Sequence, residues 1–233
     1  MNIALLGYGK MGKSIEEIAL KRNHIICLKV SEPDDEFNFS ECDVAIDFSV
    51  PSAAETNIKK ALDANIPVIS GTTGWLDNYS SIVNYCNVKN GTFLYASNFS
   101  LGVNIFFEIN KQLSKLMSGH KDYSVSIEEI HHTQKLDAPS GTAISLAEQI
   151  IENTDYDGWV LQNATKDKIT IEAIRIEGVP GTHEISYDSE IDSIQIKHTA
   201  HSRKGFALGA VIAAEWIKDK KGIFTMKDVL NIG

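Results

Sequence analysis

The chain has 233 residues and 43% hydrophobic content, enough to bury a sizeable core as one large domain or two small ones. Twenty-two basic residues against 31 acidic ones give a net charge of -9, which repels nucleic acid and anionic membrane and gives an anionic ligand no long-range attraction. No stretch approaches ~18 uninterrupted apolar residues, and Met1 leads directly into an apolar run, so a cytoplasmic protein without membrane or nucleic-acid partners is expected.

In chain order, Asn2 to Leu6, Ile25 to Val30, Asp43 to Phe48, Ile66 to Ser70 and Thr92 to Ala96 read as buried strands, with helical patterns between them. That alternation predicts an N-terminal Rossmann-like, doubly wound parallel sheet, because strands apolar on both sides need helices on both faces. From Ser124 the pattern changes to period-two runs: Ser124 to Ile130, Lys168 to Ile176, His183 to Tyr187 and Ile191 to Thr199. These predict a C-terminal α+β domain with a mixed or antiparallel sheet. Phe206 to Lys218 returns to helical spacing, and Thr225 is placed to cap a last short helix. The expected division is 1–100 with 205–233 as the dinucleotide-binding domain, and 101–204 as the substrate-binding and oligomerisation domain. Cys27 and Cys42 lie in apolar runs and, with Cys86, show no metal-ligand spacing, so packing is expected of them and no metal.

Gly7-Tyr8-Gly9-Lys10-Met11-Gly12 follows a predicted strand and opens a predicted helix, the context that a dinucleotide fingerprint requires. The first glycine permits the tight turn, the second lets backbone approach a pyrophosphate, and the third allows close helix-to-strand packing. An acidic residue is expected about 20 residues further on, at the end of the second strand. Glu32 fits that distance and Ser31 is an equal alternative, the latter with Lys29 nearby. A carboxylate there favours NADH and repels a 2'-phosphate, whereas Ser with Lys accepts one, so both NADH and NADPH stay open. Gly71-Thr72-Thr73-Gly74 and Ala96-Ser97-Asn98-Phe99-Ser100 also fall after predicted strands, at the edge where such sheets bind ligands.

The segment from Glu129 to Thr142 collects chemistry between a strand and a helix. Ser140 or Thr142 can cap the helix, and the Gly141 and Thr142 N–H groups sit at its positive end, a place for a carboxylate or phosphate. His131, His132 and Lys135 add two groups that titrate near neutrality and one point cation, suited to holding a dianion and delivering a proton.

Together, the Gly7 to Gly12 loop, Gly71-Thr72-Thr73-Gly74, Ser97 to Asn104, the His131 to Thr142 run, Gly181-Thr182-His183 and Arg203 to Ala210 resemble the 4-hydroxy-tetrahydrodipicolinate reductase family along the whole chain. The glycine-rich pieces are weakly specific; the His-His-x-x-Lys-x-Asp-Ala-Pro-Ser-Gly-Thr run is strongly specific and complete. The chain departs from longer members in a shorter phosphate loop and in Ser31 where an acidic residue often ends the second strand. The resemblance implies NAD(P)H-dependent reduction of a cyclic dicarboxylate to tetrahydrodipicolinate, with loss of water, in lysine and diaminopimelate biosynthesis. It further implies His131 as general acid/base, Lys135 as proton donor, His132 with Gly141 and Thr142 as carboxylate ligands, a hinge between domains, and a homotetramer built through the C-terminal sheet. Two rival readings are another Rossmann dehydrogenase and a dinucleotide sensor without chemistry; neither uses the His131 to Thr142 run.

Overall fold

The computed structural model describes residues 1–31, 36–163, 165–202 and 204–232. In order they form β1 (Asn2–Leu6), α1 (Lys10–Lys21), β2 (Ile25–Val30), β3 (Val44–Asp47), α2 (Pro51–Asp63), β4 (Val68–Ser70), α3 (Tyr79–Val88) and β5 (Thr92–Tyr95). There follow α4 (Leu101–Met117), β6 (Ser124–His131), α5 (Gly141–Ile151), β7 (Gly158–Leu161), β8 (Lys168–Arg175), β9 (Gly181–Asp188), β10 (Ser193–Ala200), α6 (Lys204–Ile217), β11 (Gly222–Phe224) and α7 (Met226–Leu230). The chain divides into two compact units, Met1–Asn104 with Lys204–Gly233, and Ile105–Arg203.

In the first unit, six strands in the order β11-β5-β4-β3-β1-β2 form a parallel sheet. The buried strand β1 shows why it must be covered twice. Ile3 and Leu5 enter one core with residues of α1 and α6, while Ala4 and Leu6 enter the other with residues of α2 and α3. Edge strand β2 carries an irregularity: Ile3 pairs with Ile26 but Ala4 pairs with Leu28, so Cys27 is an extra residue, a β-bulge. β11 is too short, at three residues, to stand out as a strand in the sequence.

In the second unit the five-stranded order is β10-β9-β6-β8-β7. β6 runs antiparallel to β9 and parallel to β8, which makes the sheet mixed. Val125, Ile127, Ile169, Ile171, Ile185 and Tyr187 pack on one face with Ala143, Leu146, Ala147 and Ile150 of α5, whose spacing of three and four residues is one helical stripe. β7 is a short edge strand beginning at Gly158, with too little alternation to be read in advance.

Candidate active site

In the second unit the register assembles a buried polar cluster at the carboxyl end of β6. Glu129 lies opposite His183 of β9, and His131 lies opposite Arg175 of β8. All three of Glu129, His131 and His183 are buried. One Glu129 carboxylate oxygen accepts from the Ser140 amide at 3.0 Å and from Arg175 Nη2 at 3.2 Å. The other lies 3.0 Å from His131 Nδ1 and 3.8 Å from His183 Nε2. The His131 contact is close but off the hydrogen-bonding line, since neither atom has an aligned partner among the described residues. Burial pushes the Glu129 carboxyl up, but His131 and Ser140 pull harder and hold it at about 2. Burial, followed by the neighbouring His131, holds His183 down at about 4, so it is neutral at pH 7. His183 Nε2 and the Ser140 hydroxyl are 3.1 Å apart.

Ser140, not Thr142, is the α5 cap: its hydroxyl accepts from the Ala143 amide at 3.2 Å. Helix geometry then leaves the Gly141 and Thr142 N–H groups without intrahelical acceptors. Gly181 has no side chain to meet His131; a methyl there would approach Nε2 to 3.1 Å. Lys135 Nζ is 2.7 Å from Asp137, whose carboxyl it draws below the usual range. The loop carrying both is fastened by Arg175, whose guanidinium also donates to the Asp137 carbonyl at 2.6 Å. Thus the end of β6 meets the start of α5 through Glu129, which faces His131 and holds the Ser140 amide, while His132 and Lys135 lie in the connecting loop. His198 instead packs near Phe106, with ring centroids 5.9 Å apart, and His201 is exposed. Glu129, Arg175 and Gly181 went unread as site residues because their roles arise from strand register; the signal available was the acidic residue two positions before His131.

In the first unit a cavity of about 250 Å³ is lined by Gly7, Tyr8, Gly9, Val30, Ser31, Phe48, Ser49, Val50, Ala53 and Asn57. Gly7 has φ +94, and a Cβ there would lie 2.2 Å from the Phe48 carbonyl oxygen. Gly12 abuts the turn, where a Cβ would be 2.4 Å from the Gly7 oxygen. Gly9 is different: a Cβ would have no heavy atom within 4 Å. Its bareness keeps the N-terminus of α1 open, and no side chain caps that end. Lys10 is exposed there, and Met11 packs partly into the core. These features suit a dinucleotide: a pyrophosphate at the α1 N-terminus and the adenosine end toward Ser31.

Several candidate cofactor residues serve the protein itself. A Cβ at Gly71 would meet the Phe48 ring at 2.3 Å, so this glycine accommodates Phe48. Thr72 is buried, donating to Asp47 at 2.8 Å and accepting from the Ser49 amide at 2.9 Å. Asp47 also accepts from Ser49, Asn57 and Ser70, and its carboxyl is pushed up by burial against the pull of these four donors. Thr73 and Ser97 are exposed, Ala96 is half-buried and Asn98 accepts from the Ser100 amide at 2.9 Å. The Phe99 side chain is core, 5.6 Å from Phe48 between ring centroids. Lys29 is 2.6 Å from Glu16 and 3.3 Å from the Tyr8 hydroxyl, so its charge is already matched. Glu32 lies outside the described residues.

Residues 1–99 match the family described as dihydrodipicolinate reductase, N-terminus, and residues 102–230 match dihydrodipicolinate reductase, C-terminus. The 4-hydroxy-tetrahydrodipicolinate reductase of Christiangramia forsetii is 59% identical over 99% of this chain and 98% of its own. That of Thermosipho africanus is 34% identical over the same shares. Among solved structures, the dipicolinate-bound dihydrodipicolinate reductase from Paenisporosarcina sp. superposes with a TM-score of 0.77 at 22% identity, covering 97% of each chain, and so shares the fold. With both halves of the family matched in order and a relative near 60% identity along its whole length, the chain belongs to the dihydrodipicolinate reductase family.

Proposed function

We propose that this chain reduces 4-hydroxy-tetrahydrodipicolinate to tetrahydrodipicolinate with NADH or NADPH, releasing water, in the cytoplasmic route to diaminopimelate and lysine. The observation that carries this reading is the segment from β6 to α5, which holds His131, His132 and Lys135 in sequence and whose buried, ionised Glu129 links His131 to the Ser140 cap of α5. The first unit is read as the cofactor domain and the second as the domain for substrate and oligomerisation.

When bound, the nicotinamide supplies a hydride. The Gly7 to Gly12 turn and the start of α1 would hold its pyrophosphate, and Ser31 would face its adenosine end. In the second unit the Gly141 and Thr142 N–H groups and His132 take one substrate carboxylate. His131 serves as general acid/base through Nε2, the ring nitrogen that Gly181 leaves uncrowded, while the Glu129 carboxylate faces Nδ1. Lys135, steadied by Asp137, gives a proton to the ring carbon beside the site of reduction. The hydroxyl leaves as water together with a proton from the adjacent ring carbon, and one hydride and one proton then add to the resulting unsaturated ring, which closes the balance.

We further propose a homotetramer formed through the second sheet. Helices cover one face of that sheet, and the other presents alternating residues such as Ser126, Glu128, Thr170 and Glu172. The reaction is tested by following 340 nm absorbance with substrate made in situ from pyruvate and aspartate semialdehyde, with NADH and NADPH in parallel. Substrate-dependent loss of absorbance is expected with at least one; a flat trace with both, despite measurable cofactor binding, would sink the reductase reading.

A further inference from the structure

Three free cysteines are present, and two of them meet. Cys27 of β2 and Cys42, just before β3, place their sulfurs 2.7 Å apart. That is well inside the ~3.6 Å at which unbonded sulfurs normally rest, and about 0.7 Å beyond a disulfide bond. Ile26 packs on the α1 and α6 side of the sheet, so alternation along β2 turns Cys27 to the opposite side, where Cys42 packs on the core of α2 and α3. Both residues are half-buried, so neither is sealed from a small oxidant. Packing alone is a poor account of the pair: any apolar side chain would fill either position, whereas two sulfurs this close suit one covalent product.

We propose that Cys27 and Cys42 form a reversible intramolecular disulfide under oxidation by peroxide, and that this bridge restrains Ser31 at the cofactor cavity. The Cys27 sulfur attacks hydrogen peroxide, giving a sulfenic acid and one water. The Cys42 sulfur then attacks the Cys27 sulfur, forming the S–S bond and releasing the second water. Two thiols are oxidised, one peroxide is reduced, and a small dithiol reverses the step by exchange. The residues joined are 15 apart, and Ser31, which lines the cavity, lies between them. Burial first, then the neighbouring Cys27, pushes the Cys42 thiol up, and in the proposed order Cys27 attacks first and Cys42 resolves. Cys86 is buried and serves as an internal reference.

The purified full chain is exposed to graded hydrogen peroxide, denatured, alkylated with N-ethylmaleimide and weighed intact. Three adducts are expected before treatment and one after it, with a Cys27–Cys42 cross-linked peptide in a non-reducing digest and full reversal by dithiothreitol. In Cys42→Ser, two adducts should be carried before oxidation, and dimedone should trap a sulfenic acid at Cys27 after it. Fluorescence titration with NADH and NADPH should show at least a threefold difference in affinity between reduced and bridged wild type, and none in identically treated Cys42→Ser. Retention of three adducts, pairing between chains or with Cys86, or Cys27 driven to the sulfinic acid while Cys42 still alkylates would overturn the site. Equal cofactor affinity in the two states would overturn the restraint on Ser31. Thiol count and cofactor binding are both read without turnover, so neither outcome depends on the proposed reaction.

Discussion

Glu129 is fully buried and ionised, yet it carries no proton to substrate in the proposed scheme; its work is to face one nitrogen of His131 and leave the other for chemistry. Replacing Glu129 with Gln keeps the volume but removes the charge. We expect kcat to fall by roughly 10- to 100-fold, as read from steady-state turnover. Lys135→Ala should cost about 10²- to 10⁴-fold in kcat, the range for loss of a positioned proton donor, and a variant with full turnover would remove Lys135 from the scheme. The same cluster sets an acid limit on folding. His183 has its folded value lowered to about 4 from an ordinary 6.5, so below pH 6.5 the unfolded chain takes up a proton that the folded one refuses. Stability therefore falls as pH drops from 6.5 to 4, by roughly 3 kcal/mol at most. Glu129, ordinarily near 4.5 and held at about 2, adds a second loss between those values. Urea titrations across pH 7 to 4 should show the first loss, and His183→Gln should flatten it.

At the scale of elements, the glycine-rich turn is the sharpest case. Gly7→Ala sets a methyl 2.2 Å from the Phe48 oxygen at a backbone angle that only glycine adopts comfortably, so loss of at least ~2 kcal/mol of stability is expected by chemical denaturation. Gly9→Ala meets nothing in the protein; its effect should appear as weaker NAD(P)H binding with an unchanged melting temperature. This pair also shows what a sequence can and cannot disclose. Fold class was legible because periodicity reports burial directly: β1 alternates between two cores and α5 keeps one apolar stripe. The loop from His131 to Thr142 was legible because its chemistry is contiguous. Asp47 was not, for its four donors come from Ser49, Asn57, Ser70 and Thr72, which only the parallel strand order brings together. Thr72 and Gly71 also serve neighbours that the sequence did not disclose, the Asp47 hub and the Phe48 ring, because small polar residues after a strand suit both a cofactor and a neighbouring loop. The bulge at Cys27 was not legible, because a bulge leaves no trace in hydrophobic alternation.

For the molecule as a whole, the second sheet poses a question of company. Glu172, Glu128 and Glu184 align across β8, β6 and β9, and Lys197 of β10 pairs with Glu184 at 2.7 Å. Adjacent like charges cost stability unless solvent or another chain relieves them. In the proposed tetramer, light scattering coupled to gel filtration should report four copies of the 25.7 kDa chain at micromolar concentration, and a monomeric mass would remove that assembly. The order of the first sheet carries a different kind of consequence. Its last strand, β11, and the covering helix α6 are encoded after the entire second unit. As the chain leaves the ribosome, Ile3, Leu5, Ile46, Ile69 and Leu94 therefore wait for Ala210, Val211, Ala214 and Ile217, which close the same core. At ordinary translation rates of about 5–20 residues per second that interval lasts several seconds, during which α1 but not α6 covers this side of the nascent sheet and part of it stays open to chaperones or to other unfinished chains. A premature stop ahead of α6 would leave that side incompletely covered for good.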